Sequence, residues 1–413
     1  MNASSTISTG ILSRLDVLAT VSETRNGLTR RYLTVQHREA NDLVGVWMGE
    51  AGMQVHQDAV GNIIGRYEGK CDGAPALIIG SHLDTVVMAG KYDGMLGVVT
   101  AIQCVRDLHM RGIRMPFAIE VVGFADEEGV RFQSTYLGSR AIAGTFRQEL
   151  LESRDADGMT MADALRAFGL DPDEIDTAAK RSEDVIGYLE LHIEQGPVLE
   201  SMDEPVGVVT AIAGATRRTV TLSGVAGHAG TVPMGNRQDA LLAAAECALA
   251  VEGVATKRTH CVATVGRMEV EPGAPNVIPG SVTFSIDIRA DEDAKRIEAL
   301  AELDPWLAEI ADKRGCTLNM ETVHEATSVT CAPWILRQIE AAISADEGRV
   351  IRLPSGAGHD AAAMADLTDI GMIFVRCTGG ISHNPDETIT AADAAVGARL
   401  LLRVIENFQA EDK

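Results

Sequence analysis

Two short runs, ALIIG at 76–80 and FAIEVVGFA at 117–125, are apolar at nearly every position, and residues 94–108 between them are apolar on almost every side. A half-buried strand alternates with a period of two, so an unbroken apolar run of this length fits a strand covered on both faces. A helix that is apolar all round must also be buried. Strand, helix, strand in that order implies parallel pairing through a right-handed crossover, in a doubly wound sheet. The pattern continues on both sides. Residues 30–50 carry Tyr32, Val35, Leu43, Val44, Trp47 and Met48 at roughly helical spacing and are closed by Gly52. Segments 53–58 and 62–67 flank a short turn and read as a hairpin. Strand character returns at 185–192 (VIGYLELH), near Val350 and at 372–375, and 391–408 reads as an amphipathic helix. Residues 144–184 are richer in charge and read as helical surface structure.

From about Thr216 the pattern changes. RRTVTLSG, 260–268 and 281–290 alternate in polarity as one-sided strands, 239–252 and 291–314 read as helices, and 316–323 as a last strand. That order, βαββαβ, is the split βαβ, or ferredoxin-like, arrangement. The expectation is an α/β protein in two parts. One is a large doubly wound mixed-sheet domain, discontinuous over 1–213 and 328–413; the other is an inserted βαββαβ domain over 214–327.

Chemistry gathers where the large-domain strands end. ALIIG runs into Ser81, His82, Leu83 and Asp84, and Asp93 precedes the buried helix. FAIEVVGFA runs into Asp126, Glu127 and Glu128; VIGYLEL runs into His192; MIFV runs into a loop holding His383. Ligands of an open α/β sheet bind beyond the carboxyl ends of its strands. Taken alone, a histidine is usually structural, an Asp before a helix is usually an N-cap, and an acid pair after a strand is usually a solvated turn. His37, His56, His109, His260 and His324 lack such a setting and read as structural. Four strand ends and one helix start, five positions each carrying a metal-competent residue, are hard to explain as solvated turns. Histidine and carboxylate without thiolate suit zinc, manganese or cobalt. Two divalent cations facing three consecutive acids would neutralise their mutual repulsion.

The composition narrows the classes further. A formal charge of −23 repels phosphate backbones and anionic membranes, so neither nucleic acid nor membrane is expected as a partner. Seven scattered cysteines, none in a C-x-x-C spacing, fit reduced thiols, and no basic leader or long apolar run is visible. The expected location is the cytoplasm.

The segments GSHLDT (80–85), KYDGMLGV (91–98), ADEEGVRF (125–132), ELHIEQGPVLE (190–200), GHAGTVPMGNRQDA (227–240), APNVIPG (274–280), SGAGHD (355–360) and GGISHNPDE (379–387) resemble the hydantoinase/carbamoylase family of amidases. That family contains N-carbamoyl-L-amino acid hydrolases, allantoate amidohydrolases and N-carbamoyl-β-alanine hydrolases, within the clan of dinuclear-metal aminoacylases and carboxypeptidases. The resemblance covers essentially the whole chain in the same motif order. It implies two divalent ions per subunit, zinc or manganese with cobalt or nickel also suited. His82, Glu128, His192 and His383 would be ligands, and Asp93 would bridge the ions. Asp84 would orient ligands and Glu127 would act as general base. His228 would polarise the scissile carbonyl or stabilise its oxyanion. Asn276, Arg289 and backbone donors near Gly358 would hold a substrate carboxylate, with Gln195 and His359 lining the pocket. The inserted domain would serve as lid and homodimer contact, with closure completing the site. The implied reaction is hydrolysis of a ureido C–N bond in a small carboxylate, releasing ammonia and carbon dioxide. An N-carbamoyl-L-amino acid is the first choice of substrate; allantoate and N-carbamoyl-β-alanine are the alternatives. Further rivals are a dipeptidase or N-deacylase of the same clan and a catalytically silent binding protein.

Overall fold

A computed structural model describes residues 3–411. The first two and last two residues of the expected large domain, and the start of the N-terminal stretch, therefore lie outside the described residues. The chain divides into two compact units. One runs up to Thr210, resumes at Cys331–Leu353, and continues from Gly358; the other comprises Ala211–Thr330 with Pro354–Ala357.

The first unit is built on a mixed sheet. From one edge its strands run Gln54–Gln57, Ile63–Tyr67, Ala118–Phe124, Ala76–His82, Val185–Ile193, Ile370–Val375 and Val206–Ile212. The four strands from Ala118–Phe124 to Ile370–Val375 are parallel, so their carboxyl ends share one edge. The outer pairs are antiparallel, including the expected 54–57/63–67 hairpin. The central strands Ala76–His82 and Ala118–Phe124 are buried at every position, as their unbroken apolar runs require. The crossover helix between them, Met95–Met110, packs on both, and helices Ala3–Leu18 and Ala391–Asn407 pack on that helix.

Residues 144–184 differ from the surface structure expected of them. Short helices at Gln148–Glu152, Met161–Ala167 and Pro172–Ala178 enclose a cluster of their own, in which Leu150, Met161, Leu165, Phe168 and Ile175 pack with Tyr32, Phe132 and Leu137. The charged residues lie between these apolar positions at short intervals, so the average composition conceals a core. About one apolar side chain per turn is enough to bury a short helix against its neighbours.

In the second unit an antiparallel sheet runs Met268–Glu271, Ser281–Ala290, Gly214–Ser223, Thr317–Ala326, and Cys261–Thr264 also pairs with Ser281–Ala290. Helices Ala240–Thr256 and Asp293–Arg314 cover one face, where Val220, Leu222, Phe284 and Ile288 meet Cys247, Val251, Leu303 and Leu307. Ser281–Ala290 is buried at every second residue, which leaves the opposite face polar. The single strand expected over 260–268 is two. Thr264 stands opposite Asp287 and Met268 opposite Phe284, so three residues around Gly266 face two on the partner strand. One extra residue of this kind is a bulge, and it breaks the pairing locally.

Candidate metal centre

The parallel edge of the first unit gathers the strand-end residues. His82 ends its strand and His192 lies one residue before the end of its own. The Nδ1 of His82 lies 2.9 Å from the backbone oxygen of Asp84, and the Nδ1 of His192 lies 2.9 Å from that of Ile193. Each ring therefore donates from Nδ1, and its Nε2 lone pair faces Asp93. The distances to Asp93 Oδ1 are 3.6 Å from His82 and 3.1 Å from His192. On the other side of Asp93, His383 Nε2 lies 3.3 Å from Oδ2 and 3.8 Å from Glu128 Oε1. His82, Asp93 and His192 form one triad and Asp93, Glu128 and His383 another, and within each triad the candidate ligand atoms lie within 4.8 Å of one another. Two nitrogen and carboxylate triads sharing a single aspartate fit a pair of divalent cations.

The electrostatics point the same way. Burial pushes Glu128 up to about 7, and burial with the adjacent Glu128 carboxylate holds Glu127 well above the ordinary carboxylate range. Burial also opposes ionisation of Asp93, but His192, His383 and His82, when protonated on the nitrogens that face it, outweigh burial and hold Asp93 well below that range. Buried acids this close are stable together when cations face them.

The supporting contacts are long-range. Asp84 accepts the backbone N–H of Glu127 at 2.9 Å and of Glu128 at 3.1 Å, so one buried carboxylate sets the direction of the next two. Gly94, at φ +73°, gives His82 its room: a Cβ there would sit 2.6 Å from the imidazole ring. Gln195, expected to line the pocket, donates to Asp93 Oδ2 at 3.0 Å and to Ser382 at 3.0 Å, while its own Oε1 is buried with no partner among the described residues. His359 is buried with its ring centroid 4.5 Å from that of His192. Gly358 lies against Tyr136 and Glu127, where a Cβ would meet the tyrosine hydroxyl.

The other expected residues belong to the second unit. His228 stands opposite Val277 in a two-residue pairing, and its exposed ring accepts Gly230 N–H at 3.1 Å. Asn276 holds the same turn through its backbone oxygen, which accepts Ala229 N–H at 3.0 Å. Arg289 lies near the end of Ser281–Ala290, bonded to Asp287.

Sequence reasoning passed over three residues. Glu387 lies inside GGISHNPDE, and its carboxylate accepts Tyr92 N–H at 2.9 Å, Asp93 N–H at 3.1 Å and the Ser382 hydroxyl at 3.0 Å. Glu190 accepts the Ser81 hydroxyl at 2.8 Å and groups with His192 and His359; an acid inside a buried strand was its available signal. Arg30 is fully buried, donating to the backbone oxygen of Leu83 at 2.7 Å and facing Asp84.

Residues 78–407 match peptidase family M20/M25/M40. The chain belongs to this metal-dependent family. Within it, allantoate deiminase 1 of Glycine max is 41% identical over 96% of this chain and 89% of its own length. An N-carbamoyl-L-amino acid amidohydrolase of Geobacillus stearothermophilus is 42% identical over 92% of this chain and 93% of its own. The crystal structure of a hydantoinase/carbamoylase family amidase from Burkholderia multivorans aligns with a TM-score of 0.92 at 33% identity and covers 98% of both chains. The M20 chain described here is therefore an amidohydrolase of the hydantoinase/carbamoylase type, acting on carbon–nitrogen bonds other than peptide bonds.

Proposed function

We propose that this M20 amidohydrolase cleaves the ureido C–N bond of a small ureido carboxylate, in the first instance an N-carbamoyl-L-amino acid. The observation that carries the reading is the pair of triads sharing Asp93, with Glu127 outside both and within reach of His82 and Glu128. His82, Asp93 and His192 would hold one cation, and Asp93, Glu128 and His383 the second, as zinc or manganese, with cobalt or nickel also suited. When bound, such a pair supplies Lewis-acid polarisation of a carbonyl and acidifies a water. Glu127 takes a proton from the attacking water at its carboxylate and returns it to the leaving nitrogen. Asp84 and Glu387 act on the same centre through backbone N–H groups, keeping Glu127, Glu128 and Asp93 in register. His228 would stabilise the oxyanion, and Asn276, Arg289 and backbone donors near Gly358 would take the carboxylate, because an arginine fork matches a planar anion. His359, whose ring lies beside His192, would line the pocket.

A second reading has its own support. Allantoate is the substrate named for the Glycine max relative, which is 41% identical. Ammonia release from N-carbamoyl-L-methionine, N-carbamoyl-β-alanine and allantoate, with an N-acetyl amino acid and a dipeptide as controls, separates the candidates. Release from a ureido compound, abolished by chelator, is expected; cleavage of the controls alone would move the protein to the peptidase side of its family. The inserted unit is further proposed to serve as lid and homodimer contact. Light scattering should then give about twice the 43.9 kDa chain mass.

A further inference from the structure

The polar face of the inserted unit carries a charge arrangement around Arg289 in which two members, Asp287 and Arg217, are used by none of the site assignments above. Across the sheet, His324, Arg217, Asp287 and Thr264 stand in one row on four successive strands. Asp287 Oδ1 accepts Arg289 Nε at 2.9 Å, and its Oδ2 accepts Arg289 Nη2 at 3.0 Å and Arg217 Nε at 2.9 Å. Arg289 Nη1 donates to the backbone oxygen of Gly356 at 2.7 Å. One carboxylate thus grips the side edge of one guanidinium and the Nε of another. A cavity of about 610 Å³ opens on this face, lined by Arg217, Arg289, Thr264, Ser285 and Gly356.

Exposure decides what this cluster is for. The side chains of Arg217 and Asp287 are 49% and 28% exposed, and ion pairs on a wet face contribute little to stability. Holding an arginine in one rotamer, by contrast, removes side-chain entropy that a ligand would otherwise have to overcome on binding. The cluster therefore does little for folding and much for preorganisation. Burial would raise the Asp287 pKa, but the bonds from Arg289 and Arg217 hold it below the ordinary range, so the clamp stays ionised.

We propose that Asp287 is a positioning residue that presets Arg289 and Arg217 as a paired receptor for the substrate carboxylate, with Arg217 as a second cationic contact. The inference rests on the ureido-carboxylate reading above, and it adds a residue pair to that reading. It is tested by calorimetric titration of the metal-loaded protein, with Glu127→Gln present in the wild-type clamp and in every clamp variant so that ligand binds without turnover, against N-carbamoylglycine and its uncharged carboxamide, alongside the turnover panel. The wild type should prefer the carboxylate. Asp287→Asn and Arg217→Gln should each weaken carboxylate binding by about tenfold to a hundredfold, the range for loss of a charge-assisted bond. Both variants should leave carboxamide binding within a few fold, and in turnover raise KM far more than they lower kcat. Asp287→Glu should recover part of the preference. Equal weakening of both ligands, or an unchanged preference in Asp287→Asn, overturns the proposal, as does a wild type with no preference. Turnover of no ureido compound would sink the functional reading instead, and the titration reports on the clamp separately.

Discussion

Asp84 shows how much of this site is set by single side chains acting through backbone: its two oxygens receive the N–H groups of Glu127 and Glu128 and send the two adjacent carboxylates in different directions. Glu127→Gln should lower kcat by roughly 10²–10⁴, the usual contribution of a general base, with metal content unchanged by elemental analysis. An unchanged kcat would remove Glu127 from the mechanism. Asp93→Ala should cost both ions at once, since the two triads share it. Away from the centre, His37 is buried between Leu33 N–H and Asn41, and burial, with Arg30 nearby, lowers its pKa from 6.5 to about 3. The unfolded chain therefore binds the proton first. Stability is complete above the unfolded value of 6.5 and is lost as pH falls towards 3, by a few kcal/mol in all. Urea unfolding between about pH 7.5 and pH 5 should show this slope, and His37→Gln should flatten it. Most of the metal-competent histidines and acids stand just past an apolar run, and Asp93 just before a buried helix, so they stand out in the sequence. Glu387 did not, because the backbone it orients lies 294 residues away, and the contact of Asp287 with Arg217 spans 70 residues although Arg289 is only two away.

Elements announced by a strong apolar pattern fold where that pattern places them, and the departures have local causes. The helix Pro333–Ala345 and the strand Val206–Ile212 escaped sequence reading, although the helix buries Trp334, Ile335, Leu336, Ile339 and Ile343 on one face. Its fit is close: a Cβ at Gly371 would approach Ile335 Cγ2 to 2.3 Å, so this strand meets the helix at a glycine. Ile335→Ala should destabilise by about 2–5 kcal/mol, measured by denaturant unfolding, because a fully buried side chain leaves a cavity that cannot collapse. Gly94→Ala joins a strained positive φ to a clash with His82. It should cost about 1–3 kcal/mol and weaken metal retention, and a variant with full stability and metal content would contradict that account. The break at 264–268 is marked only by Gly266 and Arg267, two consecutive exposed positions that shift the alternation by one residue.

At the scale of the whole molecule, cations and fold should be coupled. Removing bound metal exposes Asp93, Glu127 and Glu128 to one another in a buried setting, so chelation should lower Tm by several degrees and added zinc or manganese should restore it. Asp93→Asn should lose that difference; an identical Tm with and without chelator would contradict metal binding at this centre. Among the described residues no helix is long and apolar enough to cross a membrane. By itself the sequence determined the α/β layering, the split βαβ insertion and which strand ends carry metal-competent residues, because burial periodicity and strand-end position are local properties of a chain. Only the tertiary structure decided that Asp93 stands in both triads, that Glu387 and Asp84 orient their neighbours through backbone, and that Asp287 clamps two arginines. Those facts depend on distances between residues far apart in sequence, and no local pattern encodes a distance.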